Sequence, residues 1–477
     1  MTAEKGNSTK KRLIDRLSGD KIVWLIILFL CLYSLLSSLS STSLLATLNG
    51  ESRLVYAKNQ LITIAVGMVI IFVFYKINRV RILKFMSRQG FWFSTLLLIL
   101  LVGLAVLQKK GVIPEDFIIR SVSRNNARRW LSINGVEISI FEVIKVAMVM
   151  YIALMIDRIK NGETKFIDKL SELEHFEFLK KTFWKEFVCL FIPTMLTSVL
   201  VLTGGTSSAV FLAGILFLTM LLGQVDIKHL FLMGLVAAGI FVCCFGLYSA
   251  TKSWEHPLFE RIGTFASRME MGTEEYARIV MESEKKDKTF YDALDKIRQP
   301  YGAKIAVKEG GLFGKGPGQS TQKYKVSVIY EDYVFSFLVE EYGLVFGGIP
   351  IIILYLSLLA RGSVIARNCQ NHFAKTVVAG LTALISCQAL FHILINCHVG
   401  LMTGQTLPLI SHGRSSFWCF CVAFGVILSI SRMAEEQIAR EAASLDPLLV
   451  IKHDETKESL SDLERLESGE IGDNDIY

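Results

Sequence analysis

The chain has 477 residues, 52% of them hydrophobic and 11% aromatic, with a formal net charge of +7. Its apolar residues come in long unbroken blocks, which argues against one large soluble core and for membrane spans. The positive balance sits in short loops rather than in a basic, aromatic-rich patch of a soluble domain, which argues against nucleic acid as a partner.

Residues 1–21 form a basic segment with Lys5, Lys10, Lys11, Arg12, Arg16 and Lys21. The apolar block that follows is too long for the core of a secretory leader and lacks a small-x-small exit, so no cleavable signal is expected. Ten helical spans are expected at 22–41, 60–76, 91–108, 139–157, 185–203, 207–223, 228–250, 333–360, 376–398 and 409–432. Each is near the ~20 residues that cross ~30 Å of hydrocarbon. The predicted fold is an all-α polytopic membrane protein. A cytoplasmic N-terminus (1–21) precedes a ten-helix domain (22–432), which carries one large extracytoplasmic loop (251–332) between helices 7 and 8. An acidic cytoplasmic tail (433–477) follows, and its composition suggests disorder.

Orientation follows from the short loops. The 76–90 connection carries Lys76, Arg79, Arg81, Lys84 and Arg88, whereas 42–59 has Arg53 and Lys58. The positive-inside rule then places both termini in the cytoplasm. The 109–138 connection breaks the rule, being outside yet holding Lys109, Lys110, Arg120, Arg124, Arg128 and Arg129. Outward basic residues suit an anion at the membrane surface; neighbouring spans fixing topology regardless is the plainer explanation. Nine cysteines, most inside apolar blocks and without paired spacing, read as small buried hydrophobes rather than disulfides or metal ligands.

Three polar clusters fall on the outer side of this topology. Glu142 and Lys145 lie three apart at the start of the fourth span, share a helix face and are expected to pair. Ionisable groups inside a span usually face the bundle or a cavity. The stretch NCHVGLMTGQTLPLISHGRSSF (396–417), rich in glycine and hydroxyls, implies non-helical backbone near the boundary, tolerated only against protein or a wet cavity. In VIYEDYVFSFLVEEYGLVFGG (328–348), Asp332 stands at the mouth of the eighth span, while Glu340 and Glu341 lie ~12–13 Å deeper along the helix and are expected to pair within the bundle. A cavity open to one leaflet, with basic loops and a carboxylate, suits an anionic amphipathic lipid.

These segments resemble a known family. ARRWLSINGVEISIFEVIK, GKGPGQSTQKYKVSVIYEDYVFSFLVEEYGLVFGG and TGQTLPLISHGRSSF are similar, in order, to three motifs of the SEDS family of FtsW, RodA and their sporulation homologue. The resemblance runs from about residue 20 to 435 and leans to the division branch found in Bacteroidota. It departs from the pattern at Ser139-Ile140-Phe141, where the family has Gln-Pro-Ser, at His412-Gly413-Arg414, where it has Tyr-Gly-Gly, and near Gly204 and Gly205, where a family aspartate is missing.

The resemblance implies a peptidoglycan glycosyltransferase that polymerises lipid II into a nascent glycan strand at the outer face of the bacterial cytoplasmic membrane. It also implies a class B penicillin-binding protein and other divisome proteins as partners. Such a displacement needs a base for the attacking hydroxyl and positive charge for the departing pyrophosphate. Asp332 is the expected base, its pKa raised by desolvation. Arg129, Lys145, Arg261 and Lys323 are candidates for the pyrophosphate; Trp130, Glu142, Ser411, Ser415 and Ser416 complete the expected substrate contacts. A divalent cation such as Mg or Mn is chemically compatible, although no ligand cluster of metal spacing is visible. The rival readings are a lipid-linked-sugar flippase, an elongation-type polymerase, and a catalytically silent divisome scaffold.

Overall fold

The computed structural model describes residues 18–114, 117–124, 127–173, 175–251, 273–282, 288–326, 328–399 and 404–467. Helices dominate: α1 (Lys21–Ser41), α2 (Arg53–Tyr75) and α3 (Val80–Lys109) come first. Strands β1 (Ile119–Arg124), β2 (Ala127–Ile133) and β3 (Val136–Ser139) follow, then α4 (Ile140–Lys160), α5 (Thr182–Leu202), α6 (Thr206–Leu222) and α7 (Ile227–Thr251). Helices α8 (Thr273–Glu282) and α9 (Lys288–Gly310) fall in the long 251–332 segment. The chain then returns through α10 (Val334–Asn368), α11 (His372–Asn396) and α12 (Arg414–Glu467).

Each expected span coincides with one of these helices. Among the described residues seven helices are long and apolar enough to cross a membrane; α6 is apolar but shorter, as is the Ile227–Cys243 part of α7, and α4, which carries Glu142, Lys145 and Asp157, is not one of the seven. The chain is a multi-pass helical membrane protein. Large apolar side chains such as Leu28, Phe93 and Phe231 stay exposed on the outer faces of their helices, as a lipid-facing surface requires. The centre of the bundle is α4, α11 and α12, whose residues are mostly enclosed by protein. Helix α2 runs along α12, α3 along α4, and α10 along α11.

The end of the bundle that holds the start of α1 is tied by polar contacts. Asp20 caps α1 by accepting from the amides of Ile22 and Val23, and its Oδ2 lies 2.6 Å from Arg361 of α10. The Asp20 amide donates to Ser431 Oγ of α12. Lys84 of α3 pairs with Asp157 of α4 at 2.5 Å.

Three features depart from expectation. Residues 119–139 are a three-stranded antiparallel sheet in the order β1-β2-β3, not loop. The β2–β3 hairpin turns on Asn134 and Gly135, both with positive φ (49° and 83°), the turn that Asn-Gly favours because it matches strand twist. The acidic tail continues α12 as helix to Glu467 instead of being disordered throughout. Third, α5 and α10 each contain a π-helical turn, at Phe187–Phe191 and Leu344–Gly348. In α10 the turn follows Gly343, in the left-handed region at φ 72°, and Pro350 lies just beyond it.

The glycine-rich loop 310–324 packs on that irregular part of α10. The amides of Lys315 and Gly316 donate to the carbonyls of Glu340 and Glu341, both at 2.9 Å. A β-carbon at Gly314 would stand 2.3 Å from the Glu341 carbonyl oxygen, so only glycine admits this approach. Glu340 accepts from Lys315 Nζ at 3.0 Å, the Thr321 amide at 2.8 Å and Ser320 Oγ at 2.5 Å. The deep carboxylates therefore pair structurally, clamping the loop to the bundle.

Candidate active site

Asp332 occupies the turn just before α10, and three consecutive carbonyls fix that turn. The Tyr330 carbonyl accepts from the His412 amide at 2.9 Å, the Glu331 carbonyl from Ser411 Oγ at 2.7 Å, and the Asp332 carbonyl from Asn396 Nδ2 at 3.1 Å. Segment 404–412 and the end of α11 thereby hold the aspartate from two sides. Ser411 also accepts from the Leu407 amide at 2.8 Å, so it acts as a clamp and does not line the cavity.

Arg129 on β2 reaches the same place. Its Nη1 donates to the Gly404 carbonyl at 2.9 Å. A β-carbon at Gly404 would stand 3.2 Å from Arg129 Nη1 and 3.6 Å from Asp332 Oδ2. Gly205, at the break between α5 and α6, leaves room on the other side of the guanidinium, where a β-carbon would lie 3.1 Å from Nη2. Burial pushes the half-buried Asp332 carboxyl above its ordinary range, while the positive charge of Arg129 opposes that shift.

Beside this pair lies a cleft lined by Arg129, Trp130, Ser139, Phe141, Glu142, Ser208, Glu331, Gly404, Gln405, Thr406, His412, Gly413, Ser415 and Ser416. Trp130 is placed by the sheet, where it pairs with Ser139. Ser415 Oγ accepts from the Ser139 amide at 3.0 Å, joining the sheet to the first turn of α12. Ser416 Oγ and Thr406 Oγ1 are 3.0 Å apart. Burial, with the charge of Arg414 nearby, pushes the His412 imidazole down to about 4, so the ring is uncharged at neutral pH.

Lys145 stands behind the cleft as a buried hub. Its Nζ donates to Glu142 Oε1 at 2.8 Å, Gln388 Oε1 at 2.7 Å and Gln405 Oε1 at 3.0 Å. Gln405 Nε2 continues to Ser208 Oγ at 3.1 Å. An ammonium whose three protons are all engaged has no donor left for a pyrophosphate. Glu142 lines the cleft, and its buried Oε2 has no hydrogen-bond partner among the described residues.

The structure thus brings Asp332, Arg129, Trp130, Glu142, Lys145, Ser415 and Ser416 together. Lys323 is elsewhere: it is buried, donates to the Gly318 carbonyl at 2.6 Å and Ser40 Oγ at 3.2 Å, and lies 3.8 Å from Glu341. It belongs to the clamp on α10. Arg261 lies outside the described residues. Among the described residues, no group of three or more His, Cys, Asp or Glu is placed to hold a metal ion. The sequence reading missed Gln388, His392, Asn396 and Gln405. The first three are four apart along α11, a polar stripe in an apolar span that marks an inward face.

Comparison with known proteins shows the family and the fold. A family model described as cell cycle protein, covering FtsW, RodA and SpoVE, matches residues 20–436. The chain belongs to this family. Stage V sporulation protein E of Bacillus subtilis is 26% identical over 420 residues, covering 87% of this chain and 97% of that protein. A probable peptidoglycan glycosyltransferase FtsW of Legionella pneumophila is 25% identical over 312 residues, covering 65% and 68% of the two chains. Among solved structures, one described as showing structural coordination of polymerization and crosslinking by a peptidoglycan synthase complex aligns with a TM-score of 0.57 at 17% identity, over 88% of this chain and 99% of that one. The Thermus thermophilus rod shape determining protein RodA aligns at 0.51 and 18%, over 88% and 98%. At that identity the two structures speak for the fold.

Proposed function

We propose that this SEDS-family member is a peptidoglycan glycosyltransferase that polymerises lipid II at the outer face of the cytoplasmic membrane during septal division. The observation that carries the reading is the placement of a half-buried carboxylate, Asp332, beside the guanidinium of Arg129, which itself lines a cleft at one end of the bundle. The end that holds Asp20 and Lys84 follows the basic N-terminus, which puts both termini inside and the cleft outside.

In the proposed reaction an acceptor sugar hydroxyl attacks the donor's anomeric carbon, with inversion. The new C–O bond forms as the bond to undecaprenyl pyrophosphate breaks; the hydroxyl proton passes to Asp332 and the bonding electrons leave with the pyrophosphate. A carboxylate with a raised pKa is a better base than an ordinary one. Arg129 provides a planar donor fork for the leaving phosphate oxygens. The first turn of α12, at Ser415 and Ser416, adds the positive end of a helix. Glu142 Oε2 offers an acceptor for a substrate hydroxyl or amide, and Trp130 a stacking face. Lys145 holds Glu142 and the 404–406 segment in place instead of meeting the phosphate itself.

The partner in this reading is a class B penicillin-binding protein that crosslinks the new strands, with further divisome proteins; the likeness to a synthase complex that couples polymerization to crosslinking supports it. The test is purified protein with lipid II: glycan chains on a gel that disappear in Asp332→Asn support the polymerase. Translocation of lipid II without chains would support a flippase instead, and chain growth undiminished in Asp332→Asn would remove Asp332 from the chemistry.

A further inference from the structure

Helix α11 presents three polar side chains one turn apart, and each engages the backbone that frames the cleft. Gln388 Nε2 donates to the Thr406 carbonyl at 3.0 Å, His392 Nδ1 to the Gln405 carbonyl at 2.7 Å, and Asn396 Nδ2 to the Asp332 carbonyl at 3.1 Å. A carbonyl only accepts, so the His392 contact fixes its proton on Nδ1. His392 is 1% exposed, and its Nε2 has no hydrogen-bond partner. It does not itself line the cleft. The carbonyl it holds belongs to the residue after Gly404, whose own carbonyl receives Arg129. The segment has no helix or strand to hold it, and Gly404 lies in the left-handed region at φ 57°, which glycine adopts freely, so the hydrogen bonds around it set its place.

We propose that His392 is a positioning residue for the glycosyl transfer: by anchoring the Gln405 carbonyl from within the bundle, it sets Gly404 so that Arg129 is held beside Asp332. This rests on the reading of Asp332 as the base. It goes beyond that reading by assigning the geometry of the pair to a buried imidazole that contacts neither residue. The charged and titratable groups around the cleft are Arg129 on β2, Glu142 and Lys145 on α4, Glu331 beside Asp332, and His412 and Arg414 before and at the start of α12. Of these, Arg129 is the one whose charge acts on Asp332.

The test uses the full-length chain with His392→Leu, which removes the donor, and His392→Asn, whose Nδ2 stands where the imidazole Nδ1 stood. Ser386→Ala serves as a control on the same helix, since its buried hydroxyl bonds to the Tyr355 carbonyl in α10, away from the cleft. Arg129 modification by phenylglyoxal, followed by mass spectrometry, reads the position of the guanidinium without relying on turnover. His392→Leu should expose Arg129 to faster labelling, while His392→Asn and Ser386→Ala label as the parent does. With lipid II, His392→Leu should lose turnover on the order of 10²-fold, as misplacement by about 1 Å can do. Its acid limb should move to higher pH because Arg129 no longer favours the ionised carboxylate, with little change in KM. Unchanged labelling of Arg129 in folded His392→Leu would overturn the proposal, as would His392→Asn behaving like His392→Leu. If His392→Leu does not fold, His392→Met, which likewise removes the donor to the Gln405 carbonyl, takes its place with the same expected labelling, and parent-like labelling there overturns the proposal equally. Faster labelling with an unmoved acid limb would leave the positioning intact and count against Asp332 as the base.

Discussion

Arg129 and Asp332 meet across a single glycine. Gly404 gives its carbonyl to Arg129 Nη1 at 2.9 Å, and a β-carbon on it would stand 3.2 Å from that nitrogen and 3.6 Å from Asp332 Oδ2. A strand of the β-sheet and the turn before α10 are thus joined by the segment before α12.

Replacing that glycine tests the arrangement directly. In Gly404→Ala the new methyl would stand 3.2 Å from Arg129 Nη1 at a φ of 57°. The left-handed conformation costs a non-glycine residue about 1–2 kcal/mol. Thermal unfolding should shift modestly while polymerisation from lipid II falls by much more. Losses of equal proportion in both would show that the glycine serves only the fold.

Asp332→Asn keeps the shape and removes the base. General-base catalysis contributes about 10²–10⁴-fold, so turnover should fall by that order while the protein extracts and melts like the parent. Gel-resolved glycan chains measure it.

The pH profile carries a sign. The base works ionised, so activity should fall as pH drops through the Asp332 pKa, which burial raises and Arg129 lowers. Arg129→Ala removes the lowering influence. The acid limb of its residual activity should therefore lie at higher pH than that of the parent; a limb moved to lower pH would contradict the pairing.

Lys145 and Glu142 form a buried pair at 2.8 Å, with side chains nearly excluded from solvent. Removing one partner from such a pair typically destabilises by about 3–5 kcal/mol. Lys145→Met should therefore melt far below the parent, and Glu142→Gln added to it should recover much of the loss. A double variant no more stable than Lys145→Met would mean that the hub acts through Gln388 and Gln405 instead.

Lys323→Ala separates the clamp from the cleft. Lys323 holds Gly318, Ser40 and Glu341. Its loss should lower thermal stability, with activity per folded molecule close to that of the parent. A specific loss of turnover with an unchanged melting point would return Lys323 to the phosphate site.

Much of the architecture was legible because hydrophobic blocks of membrane length permit few outcomes: backbone groups in hydrocarbon must be satisfied within a helix. The pairing of Glu142 with Lys145 was equally local, a matter of three residues on one helix. The β-sheet was legible in principle, since Asn134-Gly135 between alternating segments is a hairpin signal; it was obscured by the basic residues around it. By contrast, Lys323 looked like a phosphate ligand because charge in a loop beside the membrane says nothing of direction. Only packing turned it inward to Glu341.

The sequence by itself determined the apolar spans and a carboxylate at the mouth of the eighth, because hydropathy acts locally along the chain. Tertiary structure decided which cation meets that carboxylate. Arg129, Gly404, His392 and Asp332 come from separate segments, and their meeting depends on buried hydrogen bonds to backbone carbonyls, which any residue supplies and no side-chain pattern announces.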